Sequence, residues 1–166
     1  AEGFAITGTP ADCVRLAFLG GLVAESVDGV ISGINNGYNA GLATYYSGTV
    51  GAAREAALLG HPSIAASIDY KAAPAHVQDA AELVMDMAET YFRAPQEGFR
   101  VLNLNVPDLP RTQWKAPVYA PLSRAAIRDG YERRYADRPG TYFWLQEGCE
   151  MDPPTEGSDE WYLNLG

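Results

Sequence analysis

Residues Asp28 to Ile68 read "DGVISGINNGYNAGLATYYSGTVGAAREAALLGHPSIAASI", and the order of patterns in this stretch decides the fold class. Val30 and Ile31 open it as a short buried strand. Ser32 to Ala53 then holds five glycines, three asparagines and four hydroxyl residues besides its tyrosines, with no charged side chain. It reads as a long loop whose second half, Ser47-Gly48-Thr49, enters a helix. That helix, "GTVGAAREAALLGHP", runs through small residues to Leu58 and Leu59 and stops at Gly60, with Pro62 beyond. Ser63 to Ile68, "SIAASI", is a second apolar run of strand length. Strand, loop, helix and strand in this order make a βαβ unit, so the sheet is parallel and the chain is α/β.

The flanks fit the same class. Thr9-Pro10 is a helix start with a hydroxyl N-cap and proline at the first helical position. Asp12 adds a favourable charge in the first turn, and Val14, Leu16, Ala17 and Phe18 lead to a stop at Gly20-Gly21. Pro74 to Phe92 carries Val77, Ala81, Val84, Ala88 and Tyr91 at helical spacing. "FRVLNLNVP", Phe99 to Pro107, is a further strand ending at proline. From Asp108 the chain turns rich in proline, tyrosine and charge, and "RDGYERRYADRPGTYFWLQ" reads as a β-hairpin arm. The domain reading is a core over 1–107, with its ligand loop at 32–53, and an extension over 108–166.

Composition bounds the function. Hydrophobic residues make up 47% and charged residues 20% of the 166, an ordinary globular balance. Acidic side chains outnumber basic ones 21 to 12, for a net charge of −9. Duplex nucleic acid is thereby excluded as a partner, because phosphate backbones are gripped by clustered Lys and Arg. No apolar run approaches a membrane span, so no membrane partner is expected. Cys13 and Cys149 have no metal-ligand spacing and read as two reduced thiols of a cytoplasmic protein. The abrupt start "AEGFAITGTP" and end "DEWYLNLG" carry the expectation that the natural protein extends beyond both.

The uncharged loop holds the chemistry. It follows the carboxyl end of a parallel strand, where open α/β sheets place ligands. The first N–H groups of the helix at Ser47-Gly48-Thr49 lack internal partners and sit at the positive end of its dipole. Bare backbone at Gly48 and hydroxyls on either side make a phosphate-sized cradle. It is neither a P-loop, since no lysine follows, nor a dinucleotide fingerprint, since the glycine spacing differs. An ordinary capped, glycine-rich connection is the competing reading. Asn35, Asn36 and Asn39 offer neutral oxygens suited to a hard divalent cation, although asparagine in a loop also caps turns. His61 reads as a surface or helix-capping histidine, His76 as solvated, and Arg54 as half of a salt bridge. Tyr142 and Trp144 on the arm suit either a partner subunit or the hairpin's own packing.

"GTPADCV", "VISGINNGYNAG", "YYSGTVGAAREAALLG" and "PSIAAS", in this order and spacing, closely resemble the SurE family of survival proteins. "NLNVP", "YFWL" and "SDEWYLNLG" continue the resemblance over nearly the whole chain from Gly8. It implies a Rossmann-like three-layer α/β/α fold with a C-terminal arm that swaps between subunits, hence a homodimer or homotetramer. It implies hydrolysis of nucleoside 5′- and 3′-monophosphates with a divalent metal, Mg or Mn, as cofactor. Residue by residue, Asn35 matches a metal ligand, Asn39 a catalytic residue beside the metal, and Ser47, Gly48 and Thr49 the phosphate-holding turn. One departure stands out: the family's Asp-Asp pair of metal ligands occurs nowhere in this sequence. A truncated or catalytically dead phosphate-binding or oligomerisation module that lacks those ligands is therefore the alternative.

Overall fold

The computed structural model describes residues 3–23, 26–95, 98–135 and 140–165, with the backbone alone for 127–128 and 147–151. Its elements begin with helix α1 (Pro10–Leu19), strand β1 (Val30–Asn36), a 3-10 helix (Gly41–Tyr45) and helix α2 (Gly48–Leu58). Strand β2 (Ser63–Ile68), helix α3 (Pro74–Arg93), strand β3 (Val101–Val106) and a short 3-10 turn (Arg111–Gln113) follow. Strands β4 (Ile127–Tyr135) and β5 (Thr141–Met151) and helix α4 (Asp159–Leu165) complete the chain. Two compact units result, one of residues 1–39 and 44–118, the other of residues 40–43 and 119–165.

The first unit is built around β2. Every residue of "SIAASI" is buried, as expected of a strand with neighbours on both edges and helices on both faces. β1 and β3 pair with it in parallel, in the order β1-β2-β3. Alternation along β2 sends Ala65 toward Val50 and Ala53 of α2. Ile64 and Ala66 face Val84 and Ala88 of α3, with Ile31, Ile34, Tyr91, Phe92, Leu102 and Leu104 around them. Ile68 extends this side to Ala80 and Val106. Small residues on α2 and bulkier ones opposite give a three-layer α/β/α arrangement, as the resemblance implied. α1 starts with a full capping box, in which Asp12 Oδ2 accepts from Thr9 N at 2.9 Å and Thr9 Oγ1 from Asp12 N at 3.2 Å. Arg15 of α1 pairs with Glu55 of α2 at 2.6 Å.

The structure corrects several expectations. Ser32 to Asn36 is strand, not loop: Ile34 is held in the core and Asn35 and Asn36 pair with Ser67 and Ile68. Tertiary packing overrides the local preference of glycine and asparagine for turns, and an irregular register between Ser32 and Asn35 accommodates them. β1 is half-buried rather than buried. On α3 the buried stripe is Ala80, Val84 and Ala88, with Ala81 only half-buried. Residues 108–118, assigned above to the extension, pack in the first unit, where Trp114 joins the Ile68 cluster and Arg111 reaches Glu82 of α3 at 3.3 Å. α4 was not anticipated. Cys13 is a free thiol; the Cys149 side chain lies outside the described residues.

The hairpin of the second unit is as expected, with β4 and β5 antiparallel from Tyr135↔Thr141 to Ile127↔Met151 and a register shift near Gly130. Among the described residues no helix is long and apolar enough to cross a membrane. The packing of β2 is testable by urea unfolding. Ile64→Ala should cost about 2–5 kcal/mol, whereas Leu58→Ala, at a side chain 66% exposed, should cost well under about 1 kcal/mol.

Candidate functional site

The parallel strands bring four segments to one edge of the first unit: the end of β1, the start of α2, the end of β2 and the end of β3. Ser47 is the N-cap of α2, with extended backbone and its Oγ accepting from Val50 N at 3.1 Å. The first intrahelical bond runs from Gly51 N to Ser47 O at 2.9 Å. The amides of Gly48 and Thr49 precede it, and no acceptor takes them among the described residues. Two adjacent N–H donors at the positive end of a helix dipole make an anion site. Gly48 is exposed. Its bare backbone also has a packing cause, since a Cβ there would lie 3.1 Å from Pro10 Cγ at the start of α1.

Asn35 stands beside this turn. Its Oδ1 accepts from Thr49 Oγ1 at 3.2 Å, and its Nδ2 donates to Gly37 O at 2.7 Å. The two bonds fix which way the amide faces: nitrogen toward its own chain, oxygen toward the helix start. A carbonyl oxygen keeps a second lone pair after one such bond, so Asn35 Oδ1 retains acceptor capacity at the turn. Ser47, Gly48, Thr49 and Asn35 are thus brought together, and none of them carries a charge.

Asn39 is differently placed. It is 6% exposed, and its Nδ2 donates to Ser67 Oγ at 2.6 Å. Its backbone N–H donates to Asn105 Oδ1 at 2.9 Å. Its carbonyl accepts from Asn103 Nδ2 at 2.8 Å and Asn105 Nδ2 at 3.1 Å. Thr44 Oγ1 adds a further bond to the same carbonyl at 3.3 Å. Asn39 is therefore the centre of a buried amide network that ties the chain after β1 to β2 and β3. Ser67, Asn103 and Asn105 were missed by sequence reasoning. The signal was available in "VLNLNV": asparagines two apart in a strand share one face, and amides on the covered face of a strand must find partners. Asn103 Oδ1 is buried with no protein donor among the described residues.

A second polar group lies near the same edge. His76 was expected to be solvated, yet it is half-buried, with Nδ1 at 2.5 Å from Asp108 Oδ1. The cause is an uncapped helix: Ala73 gives α3 no side-chain cap, and Asp108 accepts from Ala73 N at 3.2 Å instead. The His76 hydrogen bond, followed by the Ala73 amide, holds the Asp108 carboxyl below its usual range. Tyr38 is pushed up, by burial first and then by the charge of Asp69, so its phenol stays protonated at neutral pH. His61 stacks on Phe18, ring centroids 4.1 Å apart, instead of capping with its side chain. Arg54 is exposed and makes no ion pair among the described residues; its neighbour Glu55 makes the bridge, to Arg15.

Parallel strands between helices, with the open start of a helix at their carboxyl edge, define a Rossmann-like α/β protein. The family described as survival protein SurE matches residues 1–129, and the chain belongs to it. A relative in Syntrophomonas wolfei subsp. wolfei, called 5′-nucleotidase SurE, is 38% identical over 157 residues, covering 95% of this chain and 59% of that protein. One of the same name in a Synechococcus strain is 41% identical, covering 92% and 59%. The crystal structure of the SurE protein from Aquifex aeolicus superposes with a TM-score of 0.72 at 30% identity, over 97% of this chain and 64% of that one. The chain thus spans about three fifths of the length of the curated relatives it matches.

Asp108 yields a prediction for pH. Its folded pKa is depressed, so its contribution to stability is complete above the unfolded value of about 4 and is lost as pH falls through the folded value. Thermal unfolding followed from pH 6 to pH 2 should show a shallower acid decline for Asp108→Asn than for the parent. Parallel declines would contradict the assignment.

Proposed function

We propose that the protein containing this chain is a nucleotidase that hydrolyses nucleoside 5′-monophosphates, and 3′-monophosphates as well. The observation that carries the reading is the turn at α2: two amides at Gly48 and Thr49 without acceptors among the described residues, held against Asn35 by the Thr49 hydroxyl. The name of the relatives, 5′-nucleotidase SurE, supports it. In this reading the Gly48 and Thr49 amides and the Ser47 hydroxyl hold the phosphoryl oxygens, the Thr49 hydroxyl being committed to Asn35. Donors fixed in place before the reaction stabilise the negative charge that builds there in the transition state, at no cost of reorganisation. Asn39, its side chain committed to Ser67, serves as a positioning residue that keeps the chain between β1 and α2 in one place.

A divalent metal, magnesium or manganese, belongs to the proposal as an expectation. The chain offers Asn35 Oδ1 as one neutral oxygen beside the turn. Hard cations ask for several oxygens, usually with carboxylate charge, and no three His, Cys, Asp or Glu side chains converge among the described residues. The described residues alone do not complete a metal site.

The test is hydrolysis of adenosine and guanosine monophosphates by the whole protein, with and without added magnesium or manganese. Asn35→Ala, with its oxygen gone from the phosphate turn, should lower kcat/KM by about a hundredfold while the circular dichroism spectrum is kept. Absence of hydrolysis by the unaltered protein under every metal condition would refute the proposal.

We also propose that the protein assembles as a homodimer or homotetramer through its hairpin. Tyr131, Phe143 and Trp144 are 68%, 64% and 54% exposed, and a two-stranded hairpin is marginal in water without something covering its apolar side chains. Sedimentation of the whole protein at micromolar concentration should show at least a dimer, and Phe143→Glu with Trp144→Glu should shift it toward the monomer. A parent that sediments as a monomer would refute this.

A further inference from the structure

The proposed phosphate turn carries no charge, while the chain as a whole has a net charge of −9. A protein of that balance repels a dianion at long range, so such a ligand gains most from a cation placed close to where it binds. Arg54, in the second turn of α2, is such a cation. It is exposed and makes no ion pair among the described residues. Its own helix offers it no partner: Val50, Gly51, Ala57 and Leu58 occupy the positions three and four away, from which an acidic side chain would reach it. Glu55, next in sequence, is taken by Arg15 at 2.6 Å.

A glycine shows where the side chain goes. A Cβ at Gly51 would lie 4.0 Å from Arg54 Nη2. The guanidinium therefore lies back along α2 toward the helix start, the direction in which long helical side chains lean. Ser47, Gly51 and Arg54 stand at i, i+4 and i+7 and share one face of the helix. Gly51 is three residues, about 4.5 Å of helix rise, from Gly48. The positive charge is thus on the order of 10 Å from the Gly48 amide, about one Debye length at 0.1 M salt. Gly48 is exposed and neither glycine carries a side chain to screen the one from the other. Both the cation and the amides belong to α2, so a single helix sets their spacing.

We propose that Arg54 is a substrate-binding residue that acts by charge, drawing a phosphate monoester dianion to the Gly48 and Thr49 amides. The inference rests on reading Ser47-Gly48-Thr49 as a phosphate site. A charge at the rim of a binding site changes encounter and its salt dependence more than the chemistry that follows.

Calorimetric titration of inorganic phosphate into the whole protein tests it, with Arg54→Ala, Arg54→Lys and Arg93→Ala compared with the parent. Arg93, paired with Glu89 in the last turn of α3, is the control that removes the same charge from another helix. At ~20 mM salt Arg54→Ala should raise the dissociation constant about fivefold, and at ~0.5 M salt the ratio should fall below about twofold. Arg54→Lys, which keeps the charge, and Arg93→Ala should stay within about twofold of the parent at both salt concentrations. For Arg54→Ala, KM for adenosine monophosphate should rise more than kcat falls. Three results would each overturn the proposal: phosphate affinity of Arg54→Ala within about twofold of the parent at low salt, a loss that Arg54→Lys or Arg93→Ala matches, or a loss undiminished at high salt. If the unaltered protein binds phosphate but hydrolyses no nucleotide, the functional reading fails on its own, and the titrations still decide the role of Arg54. An unaltered protein that binds no phosphate overturns both.

Discussion

The complete burial of β2 is the constraint from which the rest of the first unit follows. A strand covered on both faces and paired on both edges needs parallel neighbours joined by helical crossovers. In this chain α2 and α3 are those crossovers, and each packs its small or branched residues on one parity of "SIAASI". Parallel strands all end at the same edge. The carboxyl ends of β1, β2 and β3 and the start of α2 therefore converge there without any further instruction, and the polar residues of the chain collect where they end.

At the start of α2 and in the Asn39 network, what collects is uncharged. Ser47, Thr49, Asn35, Asn39, Ser67, Asn103 and Asn105 are hydroxyls and amides, and the donors best placed for a ligand are the bare amides of Gly48 and Thr49. In the proposed reading, a phosphate dianion held by backbone dipoles would bring its own charge, and the turn would add none to compete with a cation beside it. Neutral groups can also be buried at modest cost, provided that they bond to one another. The Asn39 network meets that condition nearly everywhere, with Asn103 Oδ1 the exception among the described residues.

Much of this was legible in the chain. β2, α2, α3, β3 and the hairpin follow from periodicity and from stop signals such as Gly60 and Pro62. The capped start of α2 at Ser47-Gly48-Thr49 follows from a hydroxyl cap and glycine after a parallel strand. The rest depends on contacts between residues far apart in sequence. Ser32 to Asn36 reads locally as turn, and only pairing with β2 and the packing of Ile34 make it strand. Asn103 and Asn105 look like punctuation in a strand until Asn39 arrives between them. His76 is half-buried because Asp108, more than thirty positions away, caps the helix that Ala73 leaves open. Asp159 lies in a stretch with no strong periodicity, and its hold on Gly41 spans most of the chain.

The central claim is that the start of α2 receives the phosphate of the ligand. It is tested most directly by titrating adenosine 5′-monophosphate into the isotope-labelled whole protein and following its backbone amides by nuclear magnetic resonance. The account predicts that the Gly48 and Thr49 amide protons move furthest downfield, with Asn35 Nδ2 perturbed beside them and the hairpin unmoved. Saturating binding that leaves Gly48 and Thr49 in place, with the large shifts elsewhere, would contradict it.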